Sequence, residues 1–143
     1  MQLTTQRPDN FMGLGIILYT TTEGLPVVPL GSRLDSERNL PISNTSNVVN
    51  ALASLATRES TMHDGFHLIE AKSGDLTHIA QFVSPPLSVA LANPSANWPQ
   101  GARQMTALLI STLPQVEVAA VISAEGSVQL FEDGIEQKIG VLE

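Results

Sequence analysis

The chain contains no cysteine, which removes disulfides and thiolate-held metals from consideration and accords with a cytoplasmic home. It is also poor in bases. Seven Lys and Arg face 14 Asp and Glu, for a formal net charge of −7, and no basic cluster occurs anywhere. Such a chain repels phosphate backbones, so non-specific nucleic-acid binding is not expected, although a few well-placed groups can still hold a small anion. The longest apolar run, AAVI with its flanks, falls far short of the roughly 20 residues that cross a bilayer, so no membrane span is expected. The opening MQLTTQRPDN lacks the charged and apolar regions of a signal peptide.

Familiar catalytic signatures are missing as well. There is no GxSxG, GxxxxGK[ST], GxGxxG or HExxH, and Gly13-Leu14-Gly15 is too short to count as a dinucleotide fingerprint. No serine has an identifiable base partner, which leaves a hydrolase triad without support. His63, His67 and His78 lack metal-ligand spacing. His67 and His78 are expected to face each other across a hairpin, in a surface or cross-strand role. Trp98, in a proline-rich loop, reads as a packing anchor.

What remains is an ordinary globular composition. Hydrophobic residues make up 43% of 143 and charged residues 15%, enough apolar material for the core of one domain spanning 1–143. GIILYTT and PVVPL look like two strands around a turn at Glu23-Gly24, the second short or at an edge because Pro26 and Pro29 flank it. SRLDSERNLPIS is polar and loop-like. NTSNVVNALASLATRES is the clearest helix, with a cap among Asn44 to Asn47 and an apolar stripe through Val48, Leu52 and Leu55 that reaches Glu59. FHLIEA and LTHIAQFVS form a hairpin, and LSVALANPSANWPQ is a loop or a broken short helix. Gly101 opens a second helix, GARQMTALLISTL, with Ala102, Met105, Leu109 and Leu113 on one stripe. VEVAAVIS pairs with SVQLFEDG across Glu125-Gly126, and IEQKIGVLE supplies a last strand. The order is ββ-α-ββ-α-βββ, an α/β or α+β domain with a mixed central sheet flanked by helices.

Three small features can carry chemistry. Asp64-Gly65 starts a strand, Gly101-Ala102-Arg103 starts a helix, and Ser123-Ala124-Glu125-Gly126 ends the most apolar strand. A helix N-terminus offers backbone N–H groups and a positive dipole end, and arginine adds a permanently charged planar fork, so Gly-x-Arg there suits phosphate. Carboxylates at strand ends can hold a divalent metal that bridges phosphates. Taken singly, Asp-Gly is most often a turn, and a lone Arg103 a solvated surface charge.

In order, MHDGF, GARQM and ISAEG resemble the LHDGA-type, GTRHR and VSEETG-type elements of the diadenylate cyclase domain family, and the helix NVVNALASLATREST lies where that family has one. The resemblance covers about residues 45 to 135. It implies a nucleotide site comprising Asp64, Gly65, Gly101, Arg103, Gln104 and Glu125, with Asp64 and Glu125 serving Mg²⁺ or Mn²⁺ on the bound nucleotide. It also implies a homo-oligomer, since the family's protomers face each other. The departures are specific. Phe66 replaces a small alanine, Gln104 and Met105 stand where His and a second Arg are expected, and Ala124 replaces one of two acids. The loop from Leu87 to Gly101 is longer than usual. Losing donors from a phosphate grip costs on the order of 10²–10³ each in phosphoryl transfer. The leading expectation is a nucleotide- or cyclic-dinucleotide-binding sensor domain without cyclase activity. The alternatives are an active nucleotidyl cyclase of altered specificity and a protein-interaction domain without a ligand, which the low aromatic content suits.

Overall fold

A computed structural model describes residues 11–31, 39–57 and 65–137. Asp64, His63, Glu59, most of the polar SRLDSERNL stretch and the end of the last segment lie outside the described residues. Ten elements follow one another: β1 (Leu14–Tyr19), β2 (Val27–Pro29), α1 (Thr45–Leu55), β3 (Phe66–Glu70), β4 (Leu76–Val83), α2 (Ser88–Ala92), α3 (Ala102–Ile110), β5 (Val116–Ile122), β6 (Val128–Glu132) and β7 (Ile135–Gln137). The strands form one seven-stranded sheet in the order β2-β4-β3-β1-β5-β6-β7. β1 and β3 are parallel and every other pair is antiparallel, which makes the sheet mixed. The expected hairpins β3–β4 and β5–β6 both form.

The first two strands, although joined by a turn, do not pair. Both edges of β1 are taken by β3 and β5, and β2 adds to the far side of β4. Proline cannot donate to a ladder, so a three-residue strand bounded by Pro26 and ending in Pro29 belongs at a sheet edge.

Side chains alternate across the central strands and feed two cores. On one face Leu14, Ile16, Ala120 and Ile122 meet Val48, Leu52 and Ala56 of α1 and its end. On the other, Ile17, Phe66, Leu68, Ala119, Val121 and Phe131 meet α3. Each fully buried Leu, Ile or Phe contributes about 1.5–3 kcal/mol relative to exposure.

α1 starts where the Asn44 side chain accepts the Ser46 N–H at 3.1 Å. α3 starts at Gly101, whose extended backbone lets the chain turn in without a side-chain cap. The stripe expected on α3 is only half right. Ala102 is exposed, whereas Ala107, Leu108, Leu109 and Ile110 are all buried. The C-terminal half is enclosed on both sides. The sheet lies below it, and the β6–β7 turn is pinned to it by Gly134 N–H donating to Ser111 Oγ at 2.9 Å.

Candidate functional site

Two of the three features lie at one end of the sheet, Gly65 before the start of β3 and Ser123–Gly126 after the end of β5. β1 and β3 run parallel, with Gly15 opposite Phe66, and β5 runs antiparallel to β1, with Ile122 opposite Leu14. The starts of β1 and β3 and the end of β5 therefore share one edge, and the first turn of α3 lies against it.

Gly13 marks the meeting point. A Cβ built there would lie 2.7 Å from Arg103 Nη1, 3.1 Å from the Ile122 carbonyl oxygen and 3.6 Å from the Ala124 nitrogen. The guanidinium of Arg103 thus lies against the backbone of Gly13, beside the chain that enters the Ser123–Ser127 turn. Its φ of +107° also favours glycine at this position. That turn is tied across its mouth. Ser123 N–H donates to the Ser127 carbonyl at 2.9 Å, and the two hydroxyls lie 2.8 Å apart. Glu125 stands exposed at its tip.

Gly65 is read differently once placed. A Cβ there would come within 2.7 Å of the Ala80 backbone, so the missing side chain admits the neighbouring strand. The β3–β4 ladder slips at this point, and Ala80 takes a left-handed φ of +53°. His67 satisfies the displaced strand, its Nδ1 accepting the Ala80 N–H at 3.1 Å. His67 and His78 therefore do not face each other: Leu68 is the partner of His78 in the register, and His78 bonds Thr77 Oγ1 at 2.8 Å and meets Tyr19 edge-on.

His67 is fully buried, and its pKa is lowered to about 4, first by desolvation and then by the nearby charge of Arg103. An Nδ1 that accepts an N–H carries no proton, so the neutral ring holds its proton on Nε2. That Nε2 is buried without a hydrogen-bond partner.

A cavity of about 300 Å³ opens beside this cluster, lined by Arg103, Thr106, Phe66, Gln81, Phe82 and Leu30 among others. One wall is polar, with the Arg103 cation and the Thr106 hydroxyl. The rim opposite is apolar, with Phe82 54% and Leu30 38% exposed. Gln81 is buried, its Nε2 donating to the Ile79 carbonyl at 2.9 Å. Phe66 walls this cavity without plugging it. The ring packs into the core over Gly15, where an added Cβ would sit 2.8 Å from two ring carbons. A glycine on the adjacent parallel strand thus makes room for the large residue after Asp64-Gly65.

The second and third positions of the GARQM element go elsewhere. The amide of Gln104 folds over Gly101 and lines a separate cleft on the other side of α3. Met105 is half-buried and packs on the α3-side core. Arg103 is thus the one base of that element at the cavity. The described part of the expected metal set is Glu125 alone, and no group of three or more His, Asp or Glu side chains that could hold a metal occurs among the described residues. Sequence reasoning missed Gly13 and Gly15. Their signal was the Gly-x-Gly start of β1, set aside because it matched no dinucleotide motif.

No family model matches this sequence, and no curated protein matches it. Solved structures of similar fold include the following two. One is a hypothetical membrane spanning protein from Bacillus cereus, at 17% identity and a TM-score of 0.65, aligned over 97% of this chain and 58% of its own. The other is DacA from Staphylococcus aureus, at 18% identity and a TM-score of 0.55, aligned over 95% of this chain and 77% of its own. The chain thus spans little more than half the length of the Bacillus cereus structure. Among the described residues, no helix is long and apolar enough to cross a membrane. Among the described residues, the mixed seven-stranded sheet and three helices make an α+β domain with a DacA-like fold.

Proposed function

We propose that this domain binds a nucleotide through the Arg103 cavity and does not carry out cyclisation. The observation that carries this reading is the convergence of the Arg103 guanidinium, the end of β5 and the Ser123–Ser127 turn on Gly13, beside a cavity with one cationic wall and one apolar rim. A nucleotide has the same two-sided chemistry, with an anionic phosphate and an aromatic base. A helix start and an arginine suit the phosphate, and the exposed Phe82 ring suits the base, since base-on-aromatic stacking is worth about 1–3 kcal/mol. DacA, a diadenylate cyclase of the same fold, supports looking among adenine nucleotides.

The size of the cavity favours one nucleoside monophosphate unit over a triphosphate. About 300 Å³ is at the lower end of ligand pockets, which run from roughly 300 to 1,000 Å³. With Gln104 turned into the other cleft and Met105 packed, the charge that builds on a transferring phosphoryl group would meet one arginine. A divalent ion would enter with the nucleotide phosphates, with Asp64 and Glu125 as its protein ligands, and a homo-oligomer would present one such cavity per protomer.

Calorimetric titration with AMP, ATP and cyclic di-AMP, each with and without Mg²⁺ or Mn²⁺, tests the reading, alongside an assay for cyclic dinucleotide formed from ATP. Saturable binding of AMP or cyclic di-AMP without product formation is expected. Absence of heat with all three would overturn binding, and product above a no-enzyme control would overturn the loss of catalysis.

A further inference from the structure

The cavity beside Arg103 is not the larger of the two that flank α3. The larger is a cleft of about 600 Å³ on the other side of α3, between the Asn97–Gly101 loop and the β6–β7 hairpin. Among the described residues, four carboxamide residues line it, Asn97, Gln100, Gln104 and Gln129, with no Lys, Arg or His. Trp98, Leu108 and Ile135 supply its apolar surface, and Glu136 is the charged residue of the described lining.

That composition selects a ligand class. The described lining holds a carboxylate and no cation, which disfavours phosphates and carboxylates. A carboxamide both donates and accepts hydrogen bonds, as does each hydroxyl of a sugar. An indole with carboxamides around it fits a sugar ring, which has an apolar face and a polar edge. The walls are set in place. Trp98 Nε1–H donates to the Asn93 carbonyl at 3.0 Å, and the ring packs on the core. The Gln104 amide rests on Gly101, and Gly134 N–H holds the opposite wall to Ser111. Gln129 shares the α3 face of β6 with the buried Phe131 two residues on, which fixes its direction into the cleft. We infer that this cleft is a binding site for a neutral, hydroxyl-rich ligand of one or two sugar rings, distinct from the Arg103 cavity and independent of what that cavity binds.

Trp98 is the single tryptophan of the chain, so its fluorescence reports on this cleft alone. The experiment titrates the full chain with glucose, N-acetylglucosamine, maltose and cellobiose, and separately with inorganic phosphate. The expected result is a saturable change in Trp98 emission with at least one of the sugars and none with phosphate. Gln129→Leu should weaken that binding about tenfold, the effect of one lost hydrogen bond with its partner left unpaired. The same variant should leave nucleotide titrations unchanged, because Gln129 does not line the Arg103 cavity. Chemical shifts of the Asn97, Gln100, Gln104 and Gln129 side-chain amides should move with the sugar. No change in emission or amide shifts with any of the four sugars would overturn the proposal, as would a response to phosphate in place of sugar. Sugar binding of undiminished strength in a folded Gln129→Leu protein would overturn it as well.

Discussion

At Gly15 and Phe66, two residues decide whether the cavity is open. The ring occupies the space a Cβ at position 15 would need. Gly15→Ala should therefore destabilise by about 1–3 kcal/mol, the usual cost of overpacking. The same change in a Phe66→Ala background should cost close to nothing, because the clash is gone. Denaturant unfolding of the two single variants and the double variant measures this coupling, and additive costs would contradict the packing described. His67 makes a separate residue-scale prediction. Its pKa is lowered from 6.5 to about 4, so between those values the unfolded chain takes up a proton that the folded chain refuses. The stabilisation is complete above pH 6.5 and is lost as pH falls toward 4, with a total on the order of 3 kcal/mol. Unfolding series at pH 7 and pH 5 should show His67→Gln less pH-dependent than wild type. An unchanged slope would mean that His67 is not buried neutral. Phe82, more than half exposed, is the complementary case. Phe82→Ala should weaken nucleotide binding by roughly tenfold if base stacking contributes as proposed, with an unfolding midpoint little changed.

At the scale of elements, the start of α1 offers the sharpest test. Asn44 caps the helix from a left-handed φ of +79°, a backbone setting that asparagine and glycine tolerate and alanine does not. Asn44→Ala should cost about 1–2 kcal/mol, and Asn44→Gly clearly less, since glycine loses the cap but not the backbone fit. Equal costs would mean that the cap alone matters. Elements of this kind were legible in the sequence because local chemistry specified them. The stretch from Asn44 to Asn47 marked a helix start, Gly101 another, and Pro26 and Pro29 pointed to a short or edge strand at β2. The sheet order was not legible, because the choice of β5 over β2 as the partner of β1 depends on which long-range pairing buries more apolar surface. The candidate site was legible in part. Arg103 and the Ser123–Ser127 turn were found from short motifs, and they do converge. Gly13 and Gly15 were not recognised, because a glycine needed for close approach looks like any other until its neighbour across the sheet is known. Gly65 is a third such case, since its missing side chain leaves room for Ala80 of the neighbouring strand.

For the whole molecule, the balance of charge shapes recognition. A chain at −7 repels anions at long range, so binding at the Arg103 cavity rests on short-range contacts, and rate enhancement by steering is not expected. The two cavities on either side of α3 divide the chemistry. Among the described residues, one has a cation and an apolar rim, and the other has carboxamides and an indole without a cation. The central claim is that Arg103 is the anion anchor of a nucleotide site. Its most direct test is titration calorimetry of AMP and cyclic di-AMP into wild type and Arg103→Gln, with the fold of each checked by circular dichroism. The account predicts saturable binding to wild type and a loss of about tenfold or more in the variant, in line with a charge-assisted hydrogen bond of about 1.5–3 kcal/mol. Equal affinity in the two folded proteins would contradict it.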